Sequence, residues 1–198
     1  MKNLIILSAP SGSGKTTLCK EIQKKENRII FSVSHTSRKI RPNEKNGIDY
    51  FFITKEEFLN GIDNGEFVEW EKINGDYYYG TSKAQIEKSI NKEISILLEL
   101  DVKGALSIQK LYPNQTISIF VEPPSLNELK LRLKKRGFDS KERIEKRLQR
   151  IESELSYKSN FDYSIINDKL EEATNKILDI IQNEIEGVHN VTCTTIYT

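Results

Sequence analysis

Cysteine is scarce in this 198-residue chain: there are two, Cys19 and Cys193. They stand far apart and in no metal-ligand spacing, which argues against a disulfide framework or a cysteine-held zinc and points to a cytoplasmic protein. Cys19 falls in a helical pattern and reads as a small buried apolar residue. Long hydrophobic runs are missing too. None approaches the roughly 20 residues that a membrane helix needs, and the first residues lack the apolar stretch and cleavage site of a signal peptide. There is no excess of one charge: 30 Lys+Arg face 29 Asp+Glu, a net of +1. A balance so close to neutral excludes bulk electrostatic binding to nucleic acid or membrane. Internal repeats and low-complexity tracts are also absent.

What is present is an alternation of short apolar runs with helical patterns. Strands are expected at 4–8, 29–34, 94–100, 117–121 and 163–166, most of them continuously apolar, as strands buried on both faces of a parallel sheet are. Helices are expected at 16–25, 106–111 and 171–185. Strand–helix alternation implies an α/β fold with a parallel sheet flanked by helices. Residues 35–92 break the rhythm with the turns Asn46-Gly47 and Asn74-Gly75-Asp76 between the aromatic runs Tyr50-Phe51-Phe52 and Tyr77-Tyr78-Tyr79. Such punctuation suggests antiparallel hairpins, interrupted by one helix that starts at the capping box Thr54/Glu57 and ends near Asn64-Gly65. A second capping box, Ser125/Glu128, opens a helical arm, in which a longer helix is expected over 140–158 along the stripe Ile144, Leu148, Ile151 and Leu155. The organisation so expected is a core of 1–34, 93–124 and 159–187, an inserted mixed lobe of 35–92, a helical lid of 125–158, and a mobile tail of 188–198. At least one of the three tyrosines 77–79 is expected to be core packing of its hairpin.

The strongest chemical signal is Ala9-Pro10-Ser11-Gly12-Ser13-Gly14-Lys15-Thr16, between an apolar strand and a helix. This is the context of a phosphate-binding P-loop. Glycines let backbone N–H groups turn inward around phosphate oxygens, and the helix N-terminus adds partial positive charge. Lys15 would reach the β/γ-phosphates and the Thr16 hydroxyl would ligate Mg²⁺. The first position holds Ala9 where the formal pattern has glycine. A P-loop specifies a nucleotide and not a reaction. The base-reading Asn-Lys-x-Asp of a GTPase switch is missing, since neither Asn91-Lys92-Glu93 nor Asn167-Asp168-Lys169 supplies it. Nucleotide and small-molecule kinases are then the leading classes.

Further blocks carry a resemblance. Ser32-Val33-Ser34-His35-Thr36-Ser37-Arg38-Lys39-Ile40-Arg41-Pro42 is similar to the signature of the guanylate kinase family. So are Gly47-Ile48-Asp49-Tyr50-Phe51-Phe52, Glu66-Phe67-Val68-Glu69-Trp70, Tyr78-Tyr79-Gly80-Thr81-Ser82, Leu100-Asp101-Val102-Lys103-Gly104, Pro123-Pro124-Ser125, Arg136-Gly137 and Ile166-Asn167-Asp168. They occur in the family's order over roughly residues 3–185. The resemblance implies phosphoryl transfer from ATP to GMP (and dGMP) with Mg²⁺, in line and without a covalent enzyme intermediate. In this reading the inserted lobe binds GMP: Arg38, Arg41, Tyr50 and Tyr79 hold its phosphate, while Glu69 accepts from guanine N1–H and N2–H₂. Ser34, Gly80, Thr81 and Asp101 complete the GMP site. On the ATP side it implies residues 9–16, Arg132, Asn167 and Asp168, the last two near adenine. Arg136 and Arg147 of the lid would close on the transferring phosphates together with Lys15 and Arg41. Arg143 and Arg150 share a helix face with Arg147, and which of them is functional stays open. Glu99 stands where the family usually has aspartate, and it or Asp101 could hold Mg²⁺ through water.

Two rivals arise from the same blocks. One is a non-catalytic guanylate kinase-like binding module, which typically lacks the equivalents of Lys15 and Thr16. The other is a monophosphate kinase for another base, against which Glu69 argues. No nucleic-acid or membrane partner is expected; monomer and homodimer both stay open. Residues 126–158 hold 11 Lys+Arg against 6 Asp+Glu, so the near-neutral total averages a basic lid with a mildly acidic body.

Overall fold

The computed structural model describes residues 2–10, 12–73, 76–125, 128–129 and 151–186. Five strands form one sheet: β1 (Leu4–Ser8), β2 (Ile30–Phe31), β7 (Ile96–Leu100), β8 (Thr116–Glu122) and β9 (Tyr163–Ile166), in the order β2-β7-β1-β8-β9 and parallel throughout. All five residues of β1 are buried, which is why it reads as one apolar run. The alternation of a strand splits that run between two faces. Ile5 and Leu7 pack with Leu18, Cys19 and Ile22 of α1 (Lys15–Lys25) and with Ala173, Ile177 and Ile181 of the C-terminal helix α5 (Leu170–Glu186). Leu4 and Ile6 pack on the other face with Ile86 of α3 (Lys83–Asn91) and with Val102, Ala105 and Ile108 of α4 (Val102–Leu111). No helix among the described residues is long and apolar enough to cross a membrane.

The second sheet lies between β2 and β7 in sequence. It has the order β4-β3-β6-β5, from β3 (His35–Thr36), β4 (Phe51–Phe52), β5 (Phe67–Ile73) and β6 (Tyr77–Ser82). β5 and β6 do pair as the expected antiparallel hairpin. Asn46-Gly47 does not join one. β4 runs parallel to β3, because the chain between them is long enough for a crossover and folds back on itself. Gly47 sits at φ 76, Asn46 Oδ1 accepts from Phe52 N–H at 2.8 Å and Asp49 Oδ2 from Lys45 N–H at 2.8 Å. Helix α2 (Lys55–Asp63) begins at Thr54 with both halves of the capping box formed. Its Phe58 is fully buried and stacks on Phe67 at 4.4 Å.

A bulge in β5 redirects one acidic side chain. Phe67 pairs with Ser82, yet Glu69 pairs with Thr81. Uninterrupted antiparallel pairing would place Glu69 opposite Gly80. The extra residue sets the carboxylate across from a hydroxyl instead. Of the three tyrosines, Tyr78 is the packed one, 8% exposed between Phe58 and Trp70. Trp70 itself is 45% exposed, with its ring 6.1 Å from that of Tyr78.

Other differences from the sequence expectations are local. Residues 35–92 contain two helices and not one, since α3 follows β6 directly with Ser82 as its cap. β2 is only two residues long, and α4 starts at Val102, not 106. In the arm, Ser125 Oγ accepts from Glu128 N–H at 3.0 Å, and Leu129, Ile151 and Leu155 pack together. The helix expected to reach 158 stops at 155 and gives way to a turn and a 3₁₀ segment, Lys158–Asn160. Most of the lid, and the tail 188–198, lie outside the described residues.

Candidate functional site

The loop after β1 bends back at Gly12 (φ 93) and Gly14 (φ 88) before α1 begins. These positive angles strain any other residue. Ser13 N–H donates to Pro10 O at 3.2 Å, closing the loop. From the end of β9 the buried Asn167 Nδ2 donates to Ser13 O at 2.7 Å. A Cβ on Gly14 would stand 2.6 Å from that nitrogen, so the strap needs glycine there. Two side chains at the start of α1 then reach across to the end of β7. Lys15 Nζ donates to Leu100 O at 2.5 Å, and Thr16 Oγ1 to Glu99 Oε1 at 2.6 Å.

A cavity of about 370 Å³ opens between this loop and the second sheet. It is lined by Lys15, Ser34, Arg38, Arg41, Tyr50, Glu69, Tyr79, Glu99 and Asp101. Those nine expected site residues therefore converge, from β7, β5, β6, α1 and the segment between β2 and β4. Arg38 is the best-held of them. Its Nε donates to Tyr79 Oη at 3.1 Å, and its Nη1 and Nη2 make a forked pair with Glu44 at 2.9 and 2.7 Å. The guanidinium also lies 5.5 Å from the centre of the Tyr50 ring. The bonds to Glu44 raise the Arg38 pKa, and the same bonds hold the Glu44 carboxyl below its usual range. Glu44 Oε2 further accepts from Arg41 N–H at 2.9 Å, tying the side chain of one arginine and the backbone of the other to a single carboxylate. Burial, with Glu99 nearby, pushes the Tyr50 phenol up to about 12, so it stays a hydroxyl donor.

Glu69 also lines the cavity. Its Oε1 accepts from Thr81 Oγ1 at 2.5 Å, the bond that the bulge in β5 makes available. Burial raises its pKa to about 7, and Asp101 adds to the rise; the Thr81 hydroxyl and Lys15 oppose it. Asp101 caps α4, accepting from Gly104 N–H at 2.9 Å. Thr81 is fully buried and acts through Glu69, not from the cavity wall. Gly80 is also off the wall. A Cβ there would meet Phe58 at 2.9 Å, so its role is room for the lobe's core.

The remaining expected residues fall elsewhere. Ala9, Pro10, Gly12, Ser13 and Gly14 form the loop itself. Asn167 is buried against the loop while Asp168 is exposed. Ser11, Arg132, Arg136, Arg147, Arg143 and Arg150 lie outside the described residues. Sequence reasoning missed Glu44. Its signal was indirect: two arginines bound for a cavity need a counterion, and Glu44 stands three residues past Arg41. It also missed Asn167 as the strap on the loop.

Could these groups hold Mg²⁺? Among the described residues no cluster of three or more Asp, Glu, His or Cys could hold a metal ion. One hydroxyl with an adjacent carboxylate, Thr16 with Glu99, suits a magnesium ion that arrives on nucleotide phosphates and keeps waters, not one caged by protein. That donor set fits.

Comparisons with known proteins agree on one family. A family model described as guanylate kinase matches residues 1–184. The guanylate kinase of Thermotoga maritima is 42% identical over 181 residues, covering 91% of this chain and 86% of the relative. That of Bacteroides thetaiotaomicron is 46% identical over 179 residues, with 90% and 88% covered. Among solved structures, a guanylate kinase from Anaplasma phagocytophilum superposes with a TM-score of 0.75 at 31% identity, over 91% of this chain and 85% of that one.

Proposed function

The chain belongs to the guanylate kinase family, and from that premise we propose how its residues carry the reaction ATP + GMP to ADP + GDP. It is an ATP:GMP phosphotransferase, a nucleoside monophosphate kinase. The observation that carries the assignment to guanine is the shared cavity, lined both by an acceptor carboxylate, Glu69, and by a forked arginine with two tyrosines. Guanine offers N1–H and N2–H₂ along one edge, and the Glu69 carboxylate accepts from both. Ser34 completes the base site, and Thr81 serves it by holding the Glu69 carboxylate. Arg38 and Arg41 bind the GMP phosphate, with bonds from the Tyr50 and Tyr79 hydroxyls. Arg38 arrives prealigned, since Glu44 holds its fork before the phosphate does.

The ATP phosphates lie in the loop 9–16 against its inward N–H groups. Lys15, released from Leu100 O, moves to the β/γ-phosphates. Mg²⁺ carried on the ATP would be held by Thr16, with Glu99 or Asp101 through water, and supplies neutralisation of phosphate charge. The acceptor oxygen of GMP then attacks in line, and the protein's part is positioning and charge. In this division of labour the core is 1–34, 93–124 and 159–187, the GMP-binding lobe 35–92 and the lid 125–158. Arg132, Arg136 and Arg147 of the lid close over the transferring group, excluding water. Asn167 fixes the loop at the ATP end.

A coupled assay of ADP release with GMP, AMP, UMP and dTMP tests the reading. The expected result is turnover with GMP far above the other three. Best activity with AMP overturns the guanine assignment, and no activity with any of them favours a binding module.

A further inference from the structure

The base-reading carboxylate is held in place partly by a side chain that is not there. Gly104 is the third residue of α4, buried, with its N–H donating to Asp101 Oδ1 at 2.9 Å. It is not among the positive-φ glycines of the chain. Backbone geometry therefore does not call for glycine, and inside a helix glycine is less stable than alanine. What calls for it is space. A Cβ at Gly104 would stand 2.8 Å from Glu69 Oε2, 3.2 Å from Glu69 Cδ and 3.4 Å from Asp101 Oδ1. The first distance is closer than real Cβ contacts reach, so something has to move. The obstructing atom is the tip of a flexible side chain, not backbone. Relief comes from swinging the Glu69 carboxylate, whose other oxygen accepts from Thr81.

We propose that Gly104 is a positioning residue for guanine recognition: the space left by its missing side chain is where the Glu69 carboxylate lies. The carboxylate is set between a hydroxyl on β6 and a bare Cα on α4. Moved off that line, it keeps its charge but no longer meets N1–H and N2–H₂ together. The inference rests on the reading of Glu69 given above. It adds that the selectivity of the site is set by α4, an element of the main sheet's cover, and not by the second sheet alone.

The test compares the wild type with Gly104→Ala, Glu69→Asp and the double variant. GMP affinity is measured by calorimetry, KM for ATP by the coupled assay, and the thermal midpoint by circular dichroism. Gly104→Ala is expected to bind GMP at least tenfold more weakly, with KM for ATP within twofold and the midpoint equal or higher, as alanine for glycine in a helix gives. Glu69→Asp draws the carboxylate away from α4. Adding Gly104→Ala to it should then cost less than a further twofold, a coupling that independent sites do not show. Unchanged GMP affinity in Gly104→Ala overturns the proposal. So do additive losses in the double variant, or a lowered midpoint with GMP and ATP weakened together, which would mark a packing role. A wild type that binds AMP as well as GMP defeats the reading of Glu69 itself, and it does so before any variant is made.

Discussion

Glu69 sits at an unusual point on the pH scale for a carboxyl group. Burial first, and Asp101 second, raise its pKa to about 7 in the free protein, while the proposed contact with guanine requires the ionised form to accept two N–H bonds. GMP affinity is therefore expected to climb from pH 6 to 8 and then level off. The GMP phosphate sheds its own second proton near pH 6, so Glu69→Gln is the control that keeps the phosphate limb and removes the other. Calorimetry at pH 6.5 in buffers of different ionisation enthalpy should show more proton release for the wild type than for the variant. The sign for stability is opposite. A carboxyl whose folded pKa is raised costs stability above its unfolded value, and the cost grows as pH rises from about 4.5 to about 7. Glu69→Gln should stabilise the free protein at pH 8, by about 1–2 kcal/mol after solvent screening, and have little effect at pH 4. Equal midpoints at both pH values would contradict this. At this scale the sequence was legible where a residue falls in a block that resembles the guanylate kinase family. Arg38, Tyr50 and Glu69 were singled out in that way, and the fold brings all three to one cavity. Glu44 was not, because the chain has 29 acidic residues and only the fold says which one meets Arg38.

Among the elements, β9 does more than extend the sheet. Its end delivers Asn167 to the loop before α1, where Nδ2 donates to Ser13 O at 2.7 Å. Asn167→Ala leaves that buried carbonyl short of a donor, at about 1–3 kcal/mol. The loop's N–H groups then lose their fixed aim. KM for ATP is expected to rise about three- to tenfold with GMP affinity unchanged, measured by the coupled assay and calorimetry; a selective loss of GMP affinity would refute the strap. Elements buried on both faces, β1 above all, announced themselves as apolar runs. Helix α3 did not, because its inward face is carried by Ile86, Ser89 and the partly buried Ile90, two isoleucines being too few for a visible stripe. The Asn46-Gly47 dipeptide misled for a related reason. It makes a turn, but the bonds from Asn46 and Asp49 that fold the loop and let β4 run parallel join residues four to six apart. Dipeptide rules do not register those.

Among the described residues two sheets meet at one cavity, and in the proposed reading the loop on the first faces ATP while most groups on the second face GMP. Removing the cation of the first should therefore spare binding to the second. Lys15→Met is expected to lower turnover at least about 10³-fold, the scale of a cation acting on a transferring phosphoryl group, with GMP affinity within about twofold. The measurement belongs at pH 8, because Lys15 also helps keep Glu69 ionised. Loss of GMP binding there would refute the division of labour. One feature of the second sheet makes such experiments simple. Trp70 is the chain's single tryptophan, it adjoins Glu69 in β5, and it is 45% exposed beside Tyr78. The molecule thus carries its own optical gauge. Its tryptophan emission arises at one point, next in the chain to Glu69, so any movement of β5 when GMP is added can be looked for in unlabelled protein.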